Sequence, residues 1–383
     1  MQKSDSLQDG TLRMMTNITK LLVIQATPFC NISCSYCYLP DRDNSSKMSI
    51  SNLEVAVANF FDNFQVGEKL TVIWHSGEPL VVGPKYFIDA INIINAIKPE
   101  SVTVNYEVQT NGILIDETWK QLYLRDDFHF GLSLDGPEHI HDKNRLYRNG
   151  AGSFKKAMQG LQCLQKANVS FSVICVLDQN YISNPVVYEE FFLSNGIDEV
   201  TFNIPQPEGF NEVCFPTTEA FRQEYSEFIN YFVRKRLSGG NTLKIVQIEN
   251  MFDRLIRPKE RIRLDEHSAL SIVSLNHTGE FSTFSPELAG YSHPLLGSFF
   301  VGRLFPYYSI DRHRIASFQR EIDQGLNKCE STCTYYSVCG GGVPSTKMFE
   351  TESFSSTEHE SCIVDVQWLA DITSKEIIIS ESC

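Results

Sequence analysis

Long apolar runs are missing from this 383-residue chain. The longest are of strand length, so no membrane span is expected. The N-terminal stretch MQKSDSLQDGTLRMMTNITK has no apolar core of the kind a signal peptide needs. Positive charge is also short, because 33 Lys plus Arg stand against 47 Asp plus Glu, a formal net charge of −14. Such a surface repels phosphate backbones and anionic lipid, which argues against nucleic acid and membrane partners while admitting a basic peptide. Internal repeats and low-complexity tracts are absent as well. What is present, 42% hydrophobic and 21% charged residues, suits a globular chain with a sizeable core. The length alone suggests about two to three domains. A cytoplasmic protein is the expectation.

Cysteine, by contrast, is plentiful: there are 11. In a reducing cytosol this points to metal ligation or catalysis rather than to disulfides. Cys30, Cys34 and Cys37 lie together near the N-terminus, and Cys329, Cys333, Cys339 and Cys362 near the C-terminus. Cys163, Cys175, Cys214 and Cys383 stand alone. Cys163 and Cys175 sit in apolar contexts and read as small buried hydrophobes.

Strand-like segments rich in β-branched and aromatic residues recur at 21–27, 69–75, 102–110, 128–134, 169–177 and 199–204. Between them the apolar residues take helical spacing, as in SNLEVAVANFFDNF and SFKKAMQGLQCLQKA. Alternating strands and helices predict an α/β fold, a partial (β/α)6 open barrel with function at the C-terminal strand ends. A long amphipathic segment at 217–237 leads to the breaker SGGN, beyond which the pattern turns irregular until an apolar stretch at 363–379 predicts a last helix. The expected division is an N-terminal extension at 1–20, a barrel at 21–240 and a smaller C-terminal domain at 241–383.

The run CNISCSYC has the spacing C-x3-C-x2-C and directly follows the first strand. Three thiolates from one loop can hold three corners of a cubane iron–sulfur cluster and leave the fourth iron open. A zinc knuckle or three coincidental cysteines is the alternative, although no fourth ligand follows at zinc-finger distance. With this motif the sequence resembles the radical S-adenosylmethionine (SAM) superfamily. That resemblance implies a [4Fe–4S] cluster whose open iron chelates SAM and generates a 5′-deoxyadenosyl radical.

The same resemblance extends to other strand ends. It places Tyr36 near the adenine. It makes Gly77 and Glu78 of WHSGEPL the counterpart of the family's GGEP, with Glu78 on the SAM ammonium and Ser76 replacing the first glycine. Asn111 in VQTNG closes the third strand, and SLDG closes the fourth. Ser133 and Arg145 become candidates for the SAM carboxylate and ribose; an Arg fork suits a carboxylate. Asn111 and Asp135 precede glycine and read equally well as turn formers. His75 and Asp135 are candidates for a catalytic role, His75 equally for a packed strand residue.

The second group, CESTCTYYSVCGGGVP followed by Cys362, supplies four thiolates, enough to close one auxiliary [4Fe–4S] cluster; structural zinc satisfies the same four. The GGG after Cys339 would let backbone approach that centre closely. This region resembles the SPASM domain of peptide-modifying enzymes, except that one cluster's ligand set is missing: Phe281, Phe284 and Val343 occupy positions where cysteines would be sought. CTYYSVCGGGVPSTKMFE, with GEFSTFSPELAG before it, is most similar to maturases that build three-residue cyclophanes on ribosomal peptides. The resemblance implies a ribosomal precursor peptide as partner and an electron donor such as flavodoxin or ferredoxin. With only about 20 residues before the first strand, leader recognition is expected to fall to the barrel, the C-terminal domain or a separate protein. A sulfatase maturase that makes formylglycine is the alternative enzyme, and a non-catalytic iron–sulfur electron carrier the alternative from another class.

Overall fold

The computed structural model describes residues 17–240, 242–257 and 262–381. Most of the extension expected at 1–20, and Cys383, lie outside them. Six strands run parallel through the first half: β1 (Thr19–Ile24), β2 (Val66–Trp74), β3 (Thr103–Thr110), β4 (Phe128–Ser133), β5 (Phe171–Val176) and β6 (Glu199–Asn203). They lie side by side in sequence order, as an open (β/α)6 sheet requires. Each matches a strand expected from the sequence to within a few residues. Register aligns their C-terminal ends: Ile24 pairs with Trp74, Trp74 with Val108, Thr110 with Leu132, and Ser133 with Ile174. The loops after these residues therefore meet on one rim.

The helix Ile50–Asn63 shows how the covering layer forms. Ser49 caps it by accepting from the backbone N–H of Asn52 at 3.1 Å. Leu53, Ala56, Val57 and Phe60 then recur at three- and four-residue spacing and all face the sheet. Burying a side chain like Phe60 contributes about 1.5–3 kcal/mol. On the same side Trp74 packs on Phe87, with ring centroids 4.8 Å apart, and stacks on Tyr106 at 6.1 Å.

The sheet does not stop where the composition changes. Lys244–Ile245 pairs with β6, and Ile272–Leu275 adds in parallel beside β1. Glu280–Thr283, Gly302–Arg303 and Ser309–Ile310 continue antiparallel from there to make eleven strands. The irregular reading of this stretch missed these strands because Ile272–Leu275 is four residues long and buried on both faces, and so shows no alternation. A boundary at 240 is thus a proposal about composition; the sheet crosses it. The last helix arrives as a π-helical segment, Cys362–Trp368, followed by Leu369–Glu381, which packs on the amphipathic helix Glu219–Ser238. Among the described residues no helix is long and apolar enough to cross a membrane.

Candidate active site and auxiliary cysteine centre

The loop after β1 carries Cys30, Cys34 and Cys37, all half-buried. Its shape is held from outside by basic residues. Arg148 donates to the Cys30 carbonyl at 2.9 and 3.1 Å, Arg42 donates to the Cys34 carbonyl at 3.2 Å, and Ile32–Cys34 pairs antiparallel with Arg145–Tyr147. Burial pushes the Cys30 thiol up to about 12, with Glu78 adding to the rise, and the Cys34 thiol up to about 11, against the pull of Arg145. Iron binding there must release protons.

Beside this loop lies a buried carboxylate system. Glu78 accepts from Thr110 Oγ1 at 2.7 Å, Asn111 N–H at 2.9 Å and Leu80 N–H at 3.0 Å; burial raises its pKa. Asn111 Nδ2 donates to Asn31 Oδ1 at 2.8 Å and reaches within 4.0 Å of Cys30 Sγ, which ties β3 to the cysteine loop. Gly77 sits at φ +75° with Thr27 O 2.6 Å from where a Cβ would be, so only glycine fits. Ser76, at φ +70°, holds the left-handed conformation that a glycine takes freely, so the departure from GGEP keeps this left-handed turn.

Asp135 is a buried hub and not merely a turn former. It accepts from Val176 N–H at 3.0 Å, from Arg145 Nε at 2.9 Å and from the Tyr36 hydroxyl. Arg145 is itself buried, stacks over the Tyr36 ring at 5.4 Å and stands 3.8 Å from Cys34 Sγ. Ser133 accepts from Gln109 Nε2 at 3.0 Å at the end of β4. His75 is pushed down to about 4 by burial and faces the Tyr38 hydroxyl at 3.4 Å. Tyr36, Gly77, Glu78, Asn111, Ser133, Asp135 and Arg145 thus share the rim with the three cysteines.

The other four cysteines come from separate helical positions. Cys329 is in the last turn of Arg312–Thr332, Cys333 caps that helix, Cys339 ends Tyr336–Cys339, and Cys362 opens the π-helical segment. All four line one cavity of about 550 Å³, shared with Gln206 and Asp365. Among the described residues no three His, Cys, Asp or Glu side chains converge as they would around a single ion. The thiols ring a space instead. Gly341 N–H donates to Cys339 Sγ at 3.2 Å, within a turn whose three glycines all have positive φ; a Cβ on Gly340 would lie 2.6 Å from Ile262 O. Lys347, 2% exposed, donates to Cys329 Sγ at 3.5 Å. A set of four thiols around a cavity of this size fits a [4Fe–4S] cluster, and three around an accessible rim fit one with an open corner. Phe281 and Phe284 are fully buried in the core.

A polar cluster that sequence reasoning missed extends from the auxiliary cavity toward the cysteine loop. Thr346 Oγ1 donates to Glu208 at 3.3 Å and contacts Gln206 Oε1 at 3.3 Å; Gln206 Nε2 donates to Asp365 at 2.7 Å. Glu287, held by Ser285, lies close enough to Glu208 to raise its pKa; burial and Glu287 together push Glu208 up to about 8. Both carboxylates bear on Tyr38, the residue after Cys37. Glu208 follows β6 and was findable as a strand-end carboxylate. Glu287, Thr346 and Asp365 carried no such signal.

An open parallel sheet with a three-cysteine loop on its catalytic rim, a buried glutamate after β2 and a second cysteine centre defines an iron–sulfur enzyme class. The profile of the Radical SAM superfamily matches residues 24–183. An uncharacterised protein, sll1766, of Synechocystis sp. is 33% identical over 92% of this chain and 91% of its own. A serine-type anaerobic sulfatase-maturating enzyme of Klebsiella aerogenes is 25% identical over 83% of this chain and 77% of its own. Among solved structures, native anSMEcpe with bound AdoMet and Cp18Cys peptide superposes with a TM-score of 0.75 at 18% identity, covering 96% of this chain and 99% of that one. Over residues 24–183, then, the chain carries the radical SAM domain, of a family that uses a [4Fe–4S] cluster and SAM.

Proposed function

We propose that the enzyme crosslinks a ribosomal precursor peptide, joining an aromatic ring carbon to the β-carbon of a nearby residue. The observation that carries this reading is that four cysteines ring one cavity, while Phe281 and Phe284 fill with core the place where a second auxiliary ligand set would be sought. One closed auxiliary centre suits a role in taking an electron and not in binding substrate. The fold shared with a peptide-bound relative supports a peptide as substrate.

When bound, the open cluster with SAM supplies a 5′-deoxyadenosyl radical for hydrogen abstraction, and the auxiliary cluster supplies an electron acceptor. Cys30, Cys34 and Cys37 would hold the first, and Cys329, Cys333, Cys339 and Cys362 the second. Glu78 is the carboxylate for the SAM ammonium, in keeping with its position beside Cys30. Asp135 fixes Arg145 beside Cys34 and Tyr36, where its fork meets a carboxylate or ribose. Ser133 borders the same space. Formation of the C–C bond expels one proton from the ring carbon. Glu208 is the group we place as its acceptor, since a base works best when its pKa lies near the operating pH.

Coexpression with the short precursor peptide encoded beside the gene tests the reading. Tandem mass spectrometry should show loss of two hydrogens per crosslink within an aromatic-containing tripeptide. A thioether at Cys refutes it. Conversion of Ser or Cys to formylglycine would instead establish the second reading, a sulfatase maturase, which the Klebsiella relative favours.

A further inference from the structure

Buried lysines are rare, because taking an ammonium out of water is costly unless a counter-charge replaces the solvent. Lys347 is 2% exposed and lies in the first helical turns after the GGG segment, in Pro344–Thr351. Its Nζ donates to Cys329 Sγ at 3.5 Å, and among the described residues no Asp or Glu oxygen is paired with it. The nearby histidine, His267, donates from Nε2 to the Gly342 carbonyl, 2.8 Å away, and burial drives it toward its neutral form. The counter-charge for the ammonium must therefore come from the cysteine centre.

The rest of the cavity leans the same way. Gly341 N–H reaches Cys339 Sγ at 3.2 Å and Gln367 Nε2 reaches Cys362 Sγ at 3.7 Å. Three acids on the cavity wall, Asp365, Glu266 and Glu358, oppose a positive field and Arg254 adds to it; burial raises two of the acids, Asp365 to about 7 and Glu266 as well. The cysteine loop of the SAM centre has a cation too, yet Arg145 is neutralised there by Asp135 at 2.9 Å. Hydrogen bonds to sulfur and net local charge are the levers by which a protein sets an iron–sulfur potential.

We infer that Lys347 is a potential-setting residue: its ammonium, bonded to Cys329, stabilises the reduced auxiliary cluster and makes that cluster the electron sink of the enzyme. The electron balance is direct. One electron leaves the substrate-derived ring radical, one proton goes to a base, and the oxidised auxiliary cluster gains the electron. The inference rests on the reading of Cys329, Cys333, Cys339 and Cys362 as a [4Fe–4S] site.

The test uses full-length protein carrying Cys30→Ala, Cys34→Ala and Cys37→Ala, so that any remaining cluster is the auxiliary one. Iron content and an EPR-monitored redox titration are measured with Lys347, Lys347→Arg and Lys347→Met. The expected result is a lower midpoint potential in Lys347→Met and a near-native one in Lys347→Arg, with iron content unchanged. Absence of iron from the triple variant, or zinc in its place, overturns the cluster reading and this inference with it. An intact cluster whose potential is the same in all three overturns the inference alone. Should Lys347→Met fail to load iron, Lys347→Gln, which keeps a donor without charge, replaces it. If neither loads while Lys347→Arg does, the residue retains the cluster without tuning it, and the inference falls.

Discussion

The two cysteine centres of this molecule are built in opposite ways. The SAM-side centre takes three thiols from one eight-residue run, and the cation beside it, Arg145, is held by the buried carboxylate of Asp135. The auxiliary centre gathers four thiols from three helical segments, and its cation, Lys347, has no carboxylate partner among the described residues. On the proposed reading the first arrangement leaves a corner open, with Arg145 paired to Asp135. On the same reading the second closes the corner, with the buried Lys347 bonded to a thiol and not to a carboxylate. Under the proposed function, a site that gives an electron to SAM and a site that receives one from substrate call for this difference.

The sharpest break in the comparison comes from removing one thiol on each side. Cys34→Ala should abolish 5′-deoxyadenosine formation under dithionite while auxiliary iron persists, as chromatography and metal analysis will show. Cys333→Ala should do the converse: 5′-deoxyadenosine still forms in part, but no crosslinked peptide appears by mass spectrometry. Next in size is Asp135→Asn, which strands the buried Arg145 charge. A loss of about 3–5 kcal/mol in urea unfolding is expected, whereas a loss below ~1 kcal/mol would show that Asp135 is no hub.

Glu208→Gln tests the ground between the centres. The crosslinking rate should fall about 100-fold. The wild-type rate should also rise as pH climbs through about 8, because the deprotonated carboxyl is the acceptor; in the variant this rise should vanish. Smallest is Ser76→Gly. Relief of the left-handed strain, worth about 1–2 kcal/mol, is offset by the extra chain entropy of glycine. Stability should stay within about 1 kcal/mol of wild type, with SAM cleavage retained.

How far the sequence could be read follows the same divide. The six parallel strands and the C-x3-C-x2-C loop are local, so β-branched runs and spacing disclose them. Glu78 is legible because it directly follows Gly77 in the loop just after a strand. Asp135 is legible only as half of an Asp-Gly turn; its role emerges when β4, β5 and the Arg145 segment meet around it. Glu208, Glu287 and Thr346 belong to three separated segments, and no periodicity links them. Lys347 reads as an ordinary helical lysine until the fold closes water away from it. Ile272–Leu275 is hidden for another reason: a four-residue strand buried on both faces borrows its stability from β1, some 250 residues earlier.

That last pairing governs how the enzyme comes into being. β1 and the cysteine loop leave the ribosome some 250 residues ahead of Ile272–Leu275, so the flank of β1 away from β2 gains its partner only when residue 272 emerges. At about 5–20 residues per second, that interval is on the order of 12–50 s. Throughout it the nascent chain displays an unpaired, apolar sheet edge next to three free thiols, so its maturation needs protection from sticky neighbours and from oxidation before any metal is delivered.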